Sequence, residues 1–299
     1  MKKLATVIVI VGLNGTPAFA ADMAVKAPPP PPTAVWDWSG FYIGGGGSFN
    51  WSHFDQSLQG VSGTINVSTG PVLVAQGQEG GPFFDFNRNK SGFAPDVQVG
   101  YMVPIPGGDW LAGLKFTYKY ANIDSNENVR LPQTGTGTIL VGPQAPATGP
   151  ITGFVQGLAE INLKHQLTLI APVGRAFGNI ALYAGGGPAL FGIETNFFNG
   201  IPFATSMQGT FPTSVPLTLL NDNWVWGGAL QVGAMYAFAP RWFLDLNYSY
   251  ARSANFTIEN PVFVHNQIGP LTISGPAVLN TQERVTNQSV MLTLNYQFH

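Results

Sequence analysis

Met291-Leu-Thr-Leu-Asn-Tyr-Gln-Phe298 sets Leu292, Leu294, Tyr296 and Phe298 on one side of an extended chain and Met291, Thr293, Asn295 and Gln297 on the other, and such stretches return eight times along the sequence. A period of two belongs to a strand whose two faces meet different surroundings. Here one face is apolar and ends in aromatic rings while the other is polar, the pattern of a strand with lipid outside and a narrow polar lumen inside.

The eight stretches are expected at about Ser39–Trp51, Phe93–Val103, Trp110–Tyr120, Glu160–Ile170, Asn179–Ile193, Trp224–Phe238, Trp242–Tyr250 and Met291–Phe298. Connections of two lengths alternate between them. Residues 104–108, 171–178 and 239–241 make short turns, whereas 52–91, 122–156, 194–223 and 257–285 make long loops. Short turns at one end and long loops at the other mark a bacterial outer-membrane barrel, and a soluble sandwich has no reason to sort its loops this way. The expected fold is an all-β, eight-stranded, antiparallel, up-and-down transmembrane barrel with four long extracellular loops. Segments 61–74, 201–220 and 262–273 carry enough β-branched and aromatic residues to lengthen the hairpins or supply a further pair, which would make ten strands.

The chain begins as an exported protein would. Lys2 and Lys3, the apolar run Leu4 to Leu13 and Ala18-Phe19-Ala20 read as a signal peptide over residues 1–20. Residues 21–35, with Pro28 to Pro32 in one run, read as a stiff periplasmic linker, and 36–299 as the barrel. Charged residues are 9% of the chain, well under the roughly 25% of soluble domains. No basic cluster invites nucleic acid, and the absence of cysteine excludes thiolate metal sites and thiol chemistry.

Aromatic residues gather near strand ends on the apolar face. Trp51, Trp110, Tyr118, Tyr120, Trp224, Trp242, Tyr248 and Tyr250 are expected to form girdles where hydrocarbon meets headgroups. Six charged residues fall on the polar face: Asp96, Lys115, Lys119, Glu160, Lys164 and Asp245. Losing one partner of a buried ion pair costs about 3–5 kcal/mol, so these six are expected to pair as a lumen network. The expected contacts are Asp96 with Lys115, and Glu160 with Lys119 or Lys164.

Ala20-Ala-Asp-Met-Ala-Val-Lys-Ala-Pro-Pro-Pro, Trp38-Ser-Gly-Phe-Tyr-Ile-Gly-Gly, Ala181-Leu-Tyr-Ala-Gly-Gly-Gly-Pro and the closing strand resemble the small outer-membrane barrel proteins of alphaproteobacteria, the outer-membrane immunogenic or porin-family proteins. Their barrel is similar to the OmpA-type transmembrane domain. The resemblance implies surface exposure, lipid and lipopolysaccharide neighbours, host or surface ligands for the loops, and no common reaction. It also implies that Tyr296 and Phe298 are read by the barrel-assembly machinery, although His299 follows where an aromatic residue is expected to be last.

No catalytic set, metal site or cofactor site emerges. Of four histidines, His53 and His265 fall in outer loops, His165 faces outward and His299 is terminal, with no nucleophile and orienter assembled around any of them. Asp124-Ser-Asn-Glu-Asn128 lacks the glycine and spaced glutamate of a calcium loop. The favoured function is a non-enzymatic structural or surface-interaction barrel. A small porin is the alternative, and a lipid-modifying enzyme stands behind it.

Overall fold

Water and lipid make opposite demands on a strand, and this chain meets both along single strands. On Trp110–Ile139 the even-numbered residues Leu114, Phe116 and Tyr120 are exposed apolar groups, whereas further along it is the odd-numbered Ala121, Ile123, Val129 and Leu131 that are apolar and buried. The last strand switches in the same way. Leu292, Leu294 and Phe298 are exposed, while Val285, Leu279, Ala277 and Ile273 are buried. Apolar side chains therefore point out where acyl tails surround the wall and in where water does. The parity switch marks the outer membrane boundary.

The computed structural model describes residues 36–143, 145–201 and 217–298; the expected signal peptide, the whole of the expected linker, most of the expected 201–220 segment and His299 lie outside the described residues. The described residues form ten strands: β1 (Gly40–Thr69), β2 (Val72–Gly80), β3 (Phe83–Pro104), β4 (Trp110–Ile139), β5 (Ala147–Phe177), β6 (Ile180–Ile201), β7 (Leu217–Ala239), β8 (Trp242–Ser253), β9 (Phe256–Ile268) and β10 (Leu271–Phe298). At membrane level β1, β3, β4, β5, β6, β7, β8 and β10 follow one another around an antiparallel ring, which β1 closes on β10 from Phe41↔Phe298 to Gln59↔Asn280. The other two strands add no wall position in the membrane. β2 continues the line of β3 beyond Gly81-Pro82 and pairs with β1 and β4, and β9 follows β8 after Ala254-Asn255 and pairs with β10.

The long connections are mostly strand. β4, β5 and β10 run to 30, 31 and 28 residues, where a membrane crossing needs only about ten. Residues 52–69, 72–80 and 83–91 of the first expected loop are paired hairpin, as are large parts of the others. Two of the outer hairpins turn through Gly-Pro, with Gly70 at φ 57° and Gly269 at φ 58°, where only glycine sits without strain. Trp110 and Tyr120 are ten positions apart. At about 3.3 Å per residue and a tilt of about 40° they bracket a band about 25 Å tall, the height of a barrel's apolar belt.

One strand departs from simple alternation. In β5 the register slips between Leu163 and His165, so Lys164 and His165 both face outward. Below the slip Gln166 and Thr168 point inward; above it Ile161 and Leu163, both 0% exposed, take the inner face. Unbroken alternation over the expected strand Glu160–Ile170, with Glu160 and Lys164 inward, would turn Ile161 and Leu163 toward lipid. The bulge puts them in the core instead.

Candidate functional site

The interior is a stack of layers, alternately greasy and polar. At the periplasmic end Trp38, Tyr42, Met102, Leu111, Tyr183, Met235 and Phe243 form a plug. Phe243 takes the Tyr42 ring edge-on at 5.2 Å and Trp38 at 5.7 Å, and Trp38 donates its indole N–H to the Gly178 carbonyl at 3.1 Å. Inward glycines make room for these rings: a methyl group at Gly100 would lie 2.3 Å from Tyr42 Oη, and one at Gly233 2.6 Å from Tyr183.

Above the plug lies the charged layer. Lys115 Nζ reaches Asp245 Oδ2 across the lumen at 2.8 Å and donates to Tyr183 Oη at 2.6 Å, while that hydroxyl donates to Asp245 Oδ1 at 2.7 Å. Gln98 Nε2 adds bonds to Asp245, Thr293 and Asn295 at 3.2, 2.8 and 2.7 Å. Lys119 lies opposite Asp96 in the β3–β4 register, 3.9 Å away, and donates to Asn50 Oδ1 and Ser289 Oγ at 2.7 and 2.8 Å. Asn287 links Asn50 to Gln166. A cavity of about 10 Å³ lies here beside Lys119 and Gln166, room for one water at most.

Four of the six expected lumen charges are therefore inside, with pairings that differ from expectation. Asp96 meets Lys119 rather than Lys115, because the β3–β4 register places Gly100 opposite Lys115. Glu160 and Lys164 are not in the lumen. The bulge turns both to the outer wall, where Glu160 accepts a bond from Asn196 Nδ2 at 3.1 Å and Lys164 pairs with Glu194. Glu194 was missed because the sequence suggested a loop there.

An apolar layer follows, including Phe54, Ile123, Ile161, Leu163, Phe191, Ile193 and Val285. A second polar layer sits beyond the membrane boundary. Gln56 Nε2 donates to Glu283 Oε1 at 2.6 Å, Thr195 Oγ1 to Glu283 Oε2 at 2.5 Å, and Arg88 bonds Gln56 Oε1 and the Ala159 carbonyl. Burial pushes the Glu283 carboxyl up to about 7, against the hydrogen bonds and Arg88, which favour its charge. A last apolar layer includes Leu58, Ile65, Val129, Leu131, Val155, Phe197 and Leu279.

On the outer wall Trp51, Trp110, Tyr120, Trp224, Trp242 and Tyr248 are exposed, with Tyr118 and Tyr250 half-buried. Trp110 and Trp242 lie at the periplasmic edge of the apolar band, the others toward its outer edge. His165 belongs to the outer belt rather than the middle of the wall. Its ring stacks on Trp224 at 5.7 Å, and Tyr118 Oη lies 3.0 Å from its Nδ1. Tyr296 packs edge-on against Trp242 at 5.1 Å, and Phe298 lies 5.8 Å from Phe41 across the closing seam.

A closed ring of tilted strands, oily outside, belted with aromatics and packed within, defines a transmembrane β-barrel of the bacterial outer membrane. The chain belongs to the outer membrane protein beta-barrel domain family, whose model matches residues 18–298. It is 23% identical over 274 residues, covering 90% of each chain, to outer membrane protein P1 of Coxiella burnetii. Solved structures it resembles include Neisserial surface protein A (11% identity, 83% of this chain and 97% of that one, TM-score 0.29). The attachment invasion locus protein Ail of Yersinia pestis matches at 12% identity over 80% and 98%, TM-score 0.22. The outer membrane protease OmpT of Escherichia coli matches at 12% over 83% and 97%, TM-score 0.27. At these scores none of the three bears on what this chain does.

Proposed function

We propose that this protein is a non-enzymatic, non-conducting barrel that carries a rigid, strand-built platform above the outer membrane for contacts at the cell surface. One observation carries the reading: the Lys115–Asp245–Tyr183 cluster bridges the lumen directly above the aromatic plug. An ion would have to break these bonds and displace the rings beneath them. In planar bilayers the purified, refolded protein is expected to give no unitary conductance; stable channel steps would overturn the closed reading and favour a small porin.

Support for the non-enzymatic reading comes from the outer wall. The cleft beside His165 is lined by Lys164, Gly192, Ile193, Glu194, Asp222, Asn223 and Trp224, so no serine or threonine hydroxyl lines it among the described residues. Nucleophile, base and orienter are not brought together in this cleft among the described residues. Lipid A from cells making the protein is expected to keep its mass.

We further propose lipid and lipopolysaccharide as neighbours of the belts, surface or host ligands at the outer tips, and the barrel-assembly machinery as reader of Tyr296 and Phe298. Phe298→Ala should lower the folded fraction in cells several-fold while leaving spontaneous refolding into vesicles nearly unchanged. Equal losses in both settings would make Phe298 a packing residue of the closing seam and nothing more.

A further inference from the structure

The extracellular end of the barrel holds a cavity of about 520 Å³, within the range of small-molecule sites. A row of three glycines borders it, of which Gly149 faces open space while Ile151 lies over Gly77 and Gly137. Gly77 of β2 pairs with Gly137 of β4, and Gly137 with Gly149 of β5, so three adjoining strands present glycine at one level of the inner wall. Alanines 75 and 147 flank the row one inward position nearer the rim. On the next strands beside β2, Ile65 pairs with Gly77, Val67 with Ala75, and Ile273 with Val67, and these three carry the apolar wall onward. Glycine within a strand weakens it and often marks a place where another molecule comes close.

The hollow is a blind cup. Beneath it the last apolar layer is closed, with Leu131, Val155 and Leu279 at 0–1% exposure. The polar residues of the lining are Gln76, Thr138 and Thr148, and no ionisable side chain lines it among the described residues. Glu79 lies one inward position below the row, where burial pushes its carboxyl up to about 8 and keeps it uncharged at neutral pH. A charged guest would lose its hydration here and gain no partner, whereas an apolar one would shed water on both sides. Among the described residues nothing links the cup to the periplasm, so it captures rather than conducts.

We propose that this cup is a binding site for a small, uncharged, largely apolar molecule from the cell's surroundings. The proposal goes beyond the surface-platform reading and does not need it.

The test is titration of the neutral fluorophore N-phenyl-1-naphthylamine into nanodiscs carrying the refolded full chain, with empty nanodiscs as the lipid background. A β-carbon at Gly149 would meet nothing within 4 Å, so Gly149→Trp fills the cup without a backbone clash. Ala147→Phe is a second filler, and Thr152→Trp, at an exposed outward position of the same strand, is the control. The wild-type protein should show one saturable site per chain. Binding should weaken at least tenfold in either filler that keeps the heat-dependent gel mobility of a folded barrel, and stay unchanged in the control. No saturable component above empty nanodiscs, equal binding in the fillers, or equal loss in the control would each overturn the proposal. A barrel that conducts and still binds the probe would sink the closed lumen and leave the cup standing.

Discussion

Asp245→Ala is expected to cost the refolded barrel about 3–5 kcal/mol, because it strands a buried ammonium group. Lys115 Nζ would keep only its bond to Tyr183 Oη, and that hydroxyl and Gln98 would each lose an acceptor. The same charges removed together should cost far less, since a buried pair exchanged for apolar side chains of similar volume is often close to neutral. Lys115→Met combined with Asp245→Leu should therefore recover most of the loss. Urea unfolding in lipid vesicles, followed by tryptophan fluorescence, reads both. If the single variant unfolds at the wild-type midpoint, the cluster is hydrated, and the closed lumen falls with it.

Stability should decline as pH rises from about 4.5 to about 8, and Glu283→Gln should remove about half of the slope that Glu283 and Glu79 together produce below pH 7. The folded-state carboxyl titrates near 7 rather than near the ordinary 4.5. Below about pH 4.5 both folded and unfolded chains hold the proton, and the contribution is fully present. Between the two values the unfolded chain releases its proton first, so unfolding is favoured as pH rises. Above about 7 both forms are ionised and the loss is complete, roughly 3 kcal/mol for this one group. Glu79, pushed up to about 8, contributes a slope of the same sign that survives the substitution and continues to about pH 8. Urea midpoints at pH 5 and pH 8.5 decide the matter. A Glu283→Gln protein with the wild-type slope would remove Glu283 as its source.

The eight membrane crossings and their lipid-facing residues were legible because alternation is a local property. Trp110 to Tyr120 can be read from their own spacing. Two things were not legible. The outer half of each hairpin turns its apolar residues inward, so a search for an oily outward stripe passes over Val129, Leu131, Val155 and Leu279 and leaves loops in their place. The bulge at Lys164 hid a second feature. Val155, Ile161, Leu163, Leu167, Leu169 and Val173 share one parity, and the sequence presents a single unbroken stripe. A one-residue slip moves every later side chain to the other face, so that stripe is core above the bulge and lipid-facing below it. Pair partners were missed for a related reason: Lys115 meets Asp245 across the bore, at a sequence separation of 130, which spacing along neighbouring strands does not encode.

The layered interior also works as a ruler. Two strands that slide past one another by two positions keep their inside and outside faces, and an outer surface of uniform oiliness would not register the error. Inside, the same displacement would bring Lys115 opposite Met102 of the plug, and Glu283 opposite Phe54 or Leu58 in place of Gln56. The vertical setting of each staff against the next is thus written in the bore, where every storey differs from the one above it.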